Sequence, residues 1–129
     1  IALPWIRERR AFGRTLAELE SVQDMLGEAA MRIATGRLLV MRAAVKIAAG
    51  EKAQAEVSMA KIQVADALHH AIDTAIQLLG AKGYSKDTPL EWMYRYARQA
   101  RLVDGASEVH RMLVARALLA DPRGFFAWP

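Results

Sequence analysis

Four groups of residues have types and spacings that can do chemistry. Asp104, followed by Gly105, separates two helical patterns within the stretch from Ala97 to Arg111. A carboxylate there can cap a helix or close a turn. It can also act as a general base, provided that it reaches the substrate proton and that burial raises its pKa. The neighbouring Leu102 and Val103 could shield it, whereas Arg98, Arg101 and Arg111 would hold its pKa down. On residue types alone the turn leads. Arg7, Arg9, Arg10 and Arg14 surround Phe12-Gly13, and guanidinium forks bind phosphate oxygens in pairs; a solvated basic face competes with that reading. Gln77 to Gly83 closes a helix with Gly80 and Gly83, first of all a C-terminal cap, but also a place where a ligand can approach backbone. Its spacing is neither GxxxxGK nor GxGxxG. His69 and His70 are adjacent, so on a helix they point about 100° apart and cannot share a metal. With His110 they read as solvated or capping, and no metal site is assigned.

The 129 residues suffice for one domain, and the absence of cysteine excludes disulfides, a thiol nucleophile and iron–sulfur ligation. A reducing cytoplasm is compatible with this. The net charge of +4 is uneven: +3 over residues 1–14, −1 over 15–85 and +2 over 86–129. Basic ends can attract phosphate, on a nucleotide cofactor or on nucleic acid. No apolar run approaches the roughly 20 residues needed to span a bilayer, and no signal-peptide pattern is present. The chain begins Ile-Ala-Leu-Pro without Met, so a piece of a longer protein is expected.

Helical periodicity organises the rest. A short helical piece around Trp5 to Phe12 precedes a long helix from Thr15 to Ala49, with Thr15 and Glu18 spaced as a capping box and Gly50 as a stop. Val22, Leu26, Ala29, Ile33, Val40, Ala44 and Ile47 form its expected buried stripe. Met25, Met31, Leu39, Met41 and Val45 extend the apolar surface round that helix, so part of it should meet another chain or domain. A second stripe from Val57 to Leu78 ends at Gly80 and Gly83; a third helix is expected from Pro89 to Leu102. A fourth, with Val109, Leu113, Ala117 and Leu118 at buried spacing, stops before Pro122. No strand alternation and no repeat is present. The expected fold is an all-α, largely antiparallel helical bundle with four main helices.

The signals also fall into one order: Arg9-Arg10-Ala11-Phe12-Gly13-Arg14, Ser58-Met59-Ala60-Lys61, Ala75 to Tyr84, Pro89-Leu90-Glu91, Arg95, and Asp104 to Arg111. Over almost its whole length the chain resembles the C-terminal helical domain of an acyl-CoA dehydrogenase. Asp-Gly followed by Glu-Val-His-Arg is most similar to a subgroup related to proteins fused to aminoglycoside-kinase-like domains. The resemblance implies that residues 1–129 are one domain of an FAD enzyme whose N-terminal helical and middle β domains lie elsewhere. Such an enzyme oxidises an acyl-CoA thioester to the trans-2-enoyl-CoA and usually passes electrons to an electron-transfer flavoprotein. A homodimer or tetramer with this domain at the interface is implied too, and the domain by itself should be inactive.

Residue by residue, the resemblance places Arg9 at the FAD diphosphate across the dimer, with Phe12 packing nearby. Gln77, Gly80 and Ala81 match a Gln-x-x-Gly-Gly stretch at the adenosine diphosphate end, with Ala81 replacing the second Gly. Glu20, Ala106 and Glu108 stand where the family commonly has Gln, Thr and Gln, which removes hydrogen-bond donors. Asp104 stands at the catalytic Glu, one carbon–carbon bond (about 1.5 Å) shorter, and a misplacement of about 1 Å can cost roughly a hundredfold in rate. An acyl-CoA oxidase of the same fold, and a helical oligomerisation module without catalysis, are the alternatives. A nucleic-acid module ranks below them, because the aromatics do not interleave with the basic residues.

Overall fold

The computed structural model of the chain describes residues 1–127. It consists of α1 (Ala2–Glu8), the strands β1 (Arg10–Ala11) and β2 (Arg14–Thr15), and a 3₁₀ turn (Leu16–Glu18). Two long helices follow, α2 (Glu20–Ala48) and α3 (Gln54–Leu79), then α4 (Ala81–Tyr84), α5 (Leu90–Gln99), α6 (Ser107–Ala120) and α7 (Pro122–Phe126). The all-α, antiparallel expectation holds. Among the described residues no helix is long and apolar enough to cross a membrane.

Pairings along α3 give the directions. Against α2, Lys46 meets Glu56, Gly36 meets Val64, and Val22 shares a cluster with Leu78. The sequence numbers run oppositely, so α2 and α3 form an antiparallel hairpin about the loop 49–53. On its other side α3 meets α5 through Leu79 with Leu90 and His69 with Tyr94, and then α6 through Ser58 with His110. These numbers also run oppositely and without interruption. The helices α5 and α6 therefore lie in tandem along α3, and the break between them, residues 100–106, falls beside its middle.

Several boundaries differ from expectation. The box of Thr15 and Glu18 forms, with the Glu18 carboxylate accepting from the Thr15 N–H at 2.6 Å and its hydroxyl at 2.7 Å. It closes a 3₁₀ turn, however, and α2 starts only after the extended Leu19. The first helical piece ends at Glu8, because Phe12 (φ 53°) and Gly13 (φ 80°) are both left-handed and turn the chain back in a two-residue hairpin. Left-handed geometry at both positions is the type I′ turn that matches strand twist. Two-residue strands are too short to show alternation. Similarly, α5 stops at Gln99 rather than Leu102, and residues 101–104 continue as turns. Beyond α6, the Asp121 carboxylate accepts from the Gly124 N–H at 2.9 Å and caps α7, whose first residue is Pro122.

The buried stripe of α2 is the main correction. Ile33, Val40 and Ile47 are 45%, 49% and 58% exposed, whereas Gly36 and Ala43 are buried. A Cβ added to Gly36 would lie 3.2 Å from Val64 Cγ2. The seam is thus narrow enough to require small residues, and the longer apolar side chains splay to either side. Val109 of α6 is likewise exposed, while Leu113, Ala117 and Leu118 are partly buried. The core itself comprises Ile72, Leu79, Leu90 and Ala97 between α3 and α5, and Ile6, Val22 and Leu78 where α1 closes one end.

At the opposite end, Glu56 is buried and accepts from Lys46 Nζ at 2.8 Å, with an Arg42 amino group 3.6 Å away. Arg42 also donates to the carbonyls of Phe125 and Ala127, so one side chain ties α2 to α3 and to the C-terminal segment.

Gly80 (φ 60°, ψ −137°) ends α3 in a conformation suited to glycine, and α4 folds straight back. Here Gly83 has no room for a side chain: a Cβ would lie 2.8 Å from the Ile76 carbonyl oxygen and 2.9 Å from Ile76 Cα. Backbone cannot move aside as a flexible side chain can. Gly83→Ala is expected to cost about 2 kcal/mol of stability. A lower denaturant midpoint at unchanged slope in equilibrium unfolding would show it.

Candidate functional site

The residues singled out in the sequence assemble into two groups. At one end, the hairpin β1–β2 and the α3–α4 junction meet over Trp5. The Arg9 guanidinium lies 5.8 Å from the Trp5 ring centroid, and Lys82 Nζ lies 4.5 Å from it. Two cations thus share one indole, and among the described residues neither has a carboxylate partner. Like charges held together without a counterion suit an anionic ligand.

The hairpin is built to present side chains outward. The Arg9 carbonyl accepts from the Leu16 N–H and that of Gly13 from the Arg10 guanidinium, both at 2.7–2.8 Å, fixing the tip. Phe12 stands on it 91% exposed in a left-handed conformation. A bulky residue pays roughly 1–2 kcal/mol to adopt that geometry, which marks Phe12 as a residue with a role beyond this chain's own packing. Gln77 is exposed on the last turn of α3, Ala81 opens α4, and nothing lies within 4 Å of where a Gly80 Cβ would be. A ligand can therefore approach the Gly80 backbone. Lys82 escaped the sequence reading because only the fold-back of α4 brings it to Trp5, which itself lies four residues before Arg9.

Asp104 belongs to the second group. Its loop lies against Lys61 and Asp66, about 16 to 24 Å along the α3 axis from Gln77, so no single small contact patch contains both groups. The turn-or-cap alternative raised by the sequence can now be decided. Asp104 adopts φ 54°, and the N-cap of α6 is Ala106. Its carboxylate makes no hydrogen bond and no ion pair among the described residues, and it is exposed. The turn is real, but the side chain does not make it. Asp is one of the few residues other than Gly that tolerates this backbone, which favours it here over a longer acid.

The expected surroundings of Asp104 are corrected as well. Leu102 and Val103 are 59% and 44% exposed, because they sit in turns after α5 has ended, so they do not enclose the carboxylate. Arg101 instead pairs with Asp66 at 3.4 Å and Arg111 with Glu108 at 3.5 Å. Neighbouring carboxylates thus engage two of the three arginines expected to surround Asp104.

Nor are the histidines simply solvated. His69 packs against Tyr94 with tilted rings and centroids 4.9 Å apart, and His70 turns Nε2 into the protein. His110 bridges α3 and the Asp104 loop, with Nδ1 at 3.1 Å from Ser58 Oγ and Nε2 at 3.1 Å from the Asp104 carbonyl oxygen. No three His, Cys, Asp or Glu side chains converge among the described residues.

Comparison with known proteins decides the family. The model of the acyl-CoA dehydrogenase C-terminal domain matches residues 1–119. The chain belongs to the acyl-CoA dehydrogenase family. Among curated acyl-CoA dehydrogenase relatives, acyl-CoA dehydrogenase family member 11 of Gallus gallus is 40% identical over 116 residues, 88% of this chain and 15% of that protein. A 3-(aryl)acrylate reductase of Clostridium sporogenes is 36% identical over 118 residues, 92% of this chain and 31% of that protein. Among solved structures, the butyryl-CoA dehydrogenase of Megasphaera elsdenii superposes with a TM-score of 0.87 at 30% identity, over 92% of this chain and 31% of that one. The chain thus spans about a third or less of these relatives. Within the family, the helical domain seen here accounts for the whole of the match.

Proposed function

We propose that the full-length protein carrying this chain is an FAD-dependent acyl-CoA dehydrogenase, with residues 1–129 as its C-terminal helical domain. The observation that carries the catalytic part is Asp104: a carboxylate in a left-handed loop that contributes no hydrogen bond to the turn or helix cap. A carboxylate kept out of local structure is available to a substrate. In this reading Asp104 removes the proton alpha to the thioester carbonyl, and other domains of the protein cover it, supplying the desolvation that a general base at neutral pH needs. When bound, FAD supplies the acceptor for the hydride from the beta carbon.

Arg9 and Lys82, two cations on one ring, support a diphosphate at the hairpin end. Gln77 donates and accepts beside it, and Gly80 and the start of α4 at Ala81 offer approachable backbone. Phe12 packs on the cofactor or its covering domain. Because Phe12 pays for its conformation without packing here, Phe12→Gly is expected to raise the stability of the chain by about 1 kcal/mol while lowering the FAD content of the full-length protein. Flavin absorbance per protein after gel filtration, measured beside a thermal melt, checks both halves.

A groove of about 480 Å³ between α2 and α3, lined by Ile33, Val40, Met41, Val64 and Leu68, supports homo-oligomerisation, as a dimer or tetramer. Its exposed Ile33, Val40 and Met41 present one apolar face of the kind that meets another chain. Electron transfer onward to an electron-transfer flavoprotein is part of the proposal, as is a cytoplasmic location. The test is anaerobic mixing of the purified full-length protein with acyl-CoA thioesters. Bleaching of the flavin supports the reading; rapid peroxide formation in air would make the enzyme an oxidase, and purification without flavin that added FAD does not restore would leave an oligomerisation module.

A further inference from the structure

The loop that carries Asp104 is held by its backbone, from a direction the proposed chemistry does not use. His110 Nε2 lies 3.1 Å from the Asp104 carbonyl oxygen, and Lys61 Nζ donates to the next carbonyl, that of Gly105, at 2.5 Å. A carbonyl oxygen only accepts, so Nε2 carries the proton. In the neutral ring Nδ1 is then an acceptor, and the hydroxyl of Ser58, 3.1 Å away and 1% exposed, donates to it. Ser58 is buried in α3, so it fixes the plane and tautomer of the imidazole and is not itself presented to a substrate. The fit is close: a Cβ on Gly105 would lie 2.9 Å from His110 Nε2, so the residue after Asp104 has to be glycine for the ring to reach the carbonyl.

We propose that His110 is a positioning residue for Asp104: with Ser58 behind it and Lys61 beside it, it clamps two successive carbonyls and sets the left-handed backbone from which the Asp104 carboxylate projects. The proposal rests on Asp104 being the base. Its physical logic is that α5 ends before the loop and α6 begins after it, so no helical hydrogen bond holds the Asp104 and Gly105 carbonyls. Without the two side chains the loop is free to relax toward right-handed geometry, which moves the carboxylate by more than the roughly 1 Å that costs a hundredfold in rate.

The test uses His110→Phe, His110→Gln and Lys61→Met in the full-length flavoprotein. Phe keeps the ring and loses both bonds; Gln keeps an N–H donor at similar reach; the Lys61 change lies on the surface and leaves packing intact. Two measurements are made on each, amide hydrogen exchange over residues 101–107 and the rate of anaerobic flavin bleaching by acyl-CoA. Expected for His110→Phe is exchange about fivefold faster, as loss of one net hydrogen bond implies, and a bleaching rate reduced about tenfold to a hundredfold at nearly unchanged KM. His110→Gln should recover most of both, and Lys61→Met should show a smaller change in the same direction. Unchanged exchange in His110→Phe and Lys61→Met overturns the clamp. Faster exchange with normal bleaching, in an enzyme that Asp104→Asn silences, overturns the positioning role. If Asp104→Asn itself bleaches normally, the base assignment has failed instead, and the exchange data alone decide the clamp.

Discussion

Asp104→Asn in the full-length protein is expected to lower the rate of anaerobic flavin bleaching by acyl-CoA about 10²- to 10⁴-fold, the usual contribution of a positioned general base. Asn matches Asp in shape and tolerates the left-handed backbone, so the loop should keep its conformation. The amide simply cannot take up the proton. FAD should stay bound with an unaltered visible spectrum, because Arg9, Lys82 and Gln77 belong to a separate group, Gln77 lying about 16 to 24 Å along α3 from the Asp104 loop. Stopped-flow absorbance at the flavin maximum reads the rate, and the spectrum before mixing reads occupancy. Bleaching at the normal rate would exclude Asp104 as the base.

Glu56→Gln is expected to destabilise the chain by about 3 kcal/mol, because it leaves Arg42 and Lys46 with a neutral partner in a largely buried site. Burial pushes the Glu56 carboxyl upward, but the Lys46 hydrogen bond and the charges of Lys46 and Arg42 outweigh it and hold the group below the usual carboxylate range. A pKa depressed in the folded state stabilises above the unfolded value of about 4.3, and that contribution is lost as pH falls through the folded value. The native chain should therefore lose more stability between pH 6 and pH 3 than Glu56→Gln does. Urea denaturation at the two pH values measures the difference. Equal losses would place the acid sensitivity elsewhere. The change should also loosen the C-terminal segment, since Arg42 in the same cluster anchors the carbonyls of Phe125 and Ala127.

The two variants probe opposite kinds of legibility. Asp104 was visible in the sequence as a choice between a turn and a base, and residue types favoured the turn. The motif order pointed the other way, toward the carboxylate of an acyl-CoA dehydrogenase. Neither could say whether the side chain was already engaged, because hydrogen bonding of a loop residue depends on where the next helix starts. That helix is capped by Ala106. Glu56 carried no signal, being one of several charged residues near a helix start, and only the hairpin of α2 on α3 buries it with Lys46 and Arg42. His110, which its sequence neighbours mark only as solvated or capping, is engaged at both ring nitrogens. Its partners, Ser58 and the Asp104 carbonyl, are 52 and 6 residues away, and the longer separation has no local signature.

What the sequence by itself determined is local: helical periodicity, the stops at Gly50 and Gly80, the capping pair Thr15 and Glu18, and the order of motifs that marks the family. Backbone preference and side-chain spacing act within a few residues, so they can be read from a string. The tertiary structure alone decided which face of each helix is buried. The stripe through Ile33, Val40 and Ile47 stayed exposed, because close approach of α2 to α3 admits only Gly36 and Ala43 to the seam. It also decided which cations meet. Arg9 joins Lys82 over Trp5 while Arg101 turns to Asp66, since such pairings depend on distances through space that the chain acquires only when its helices pack.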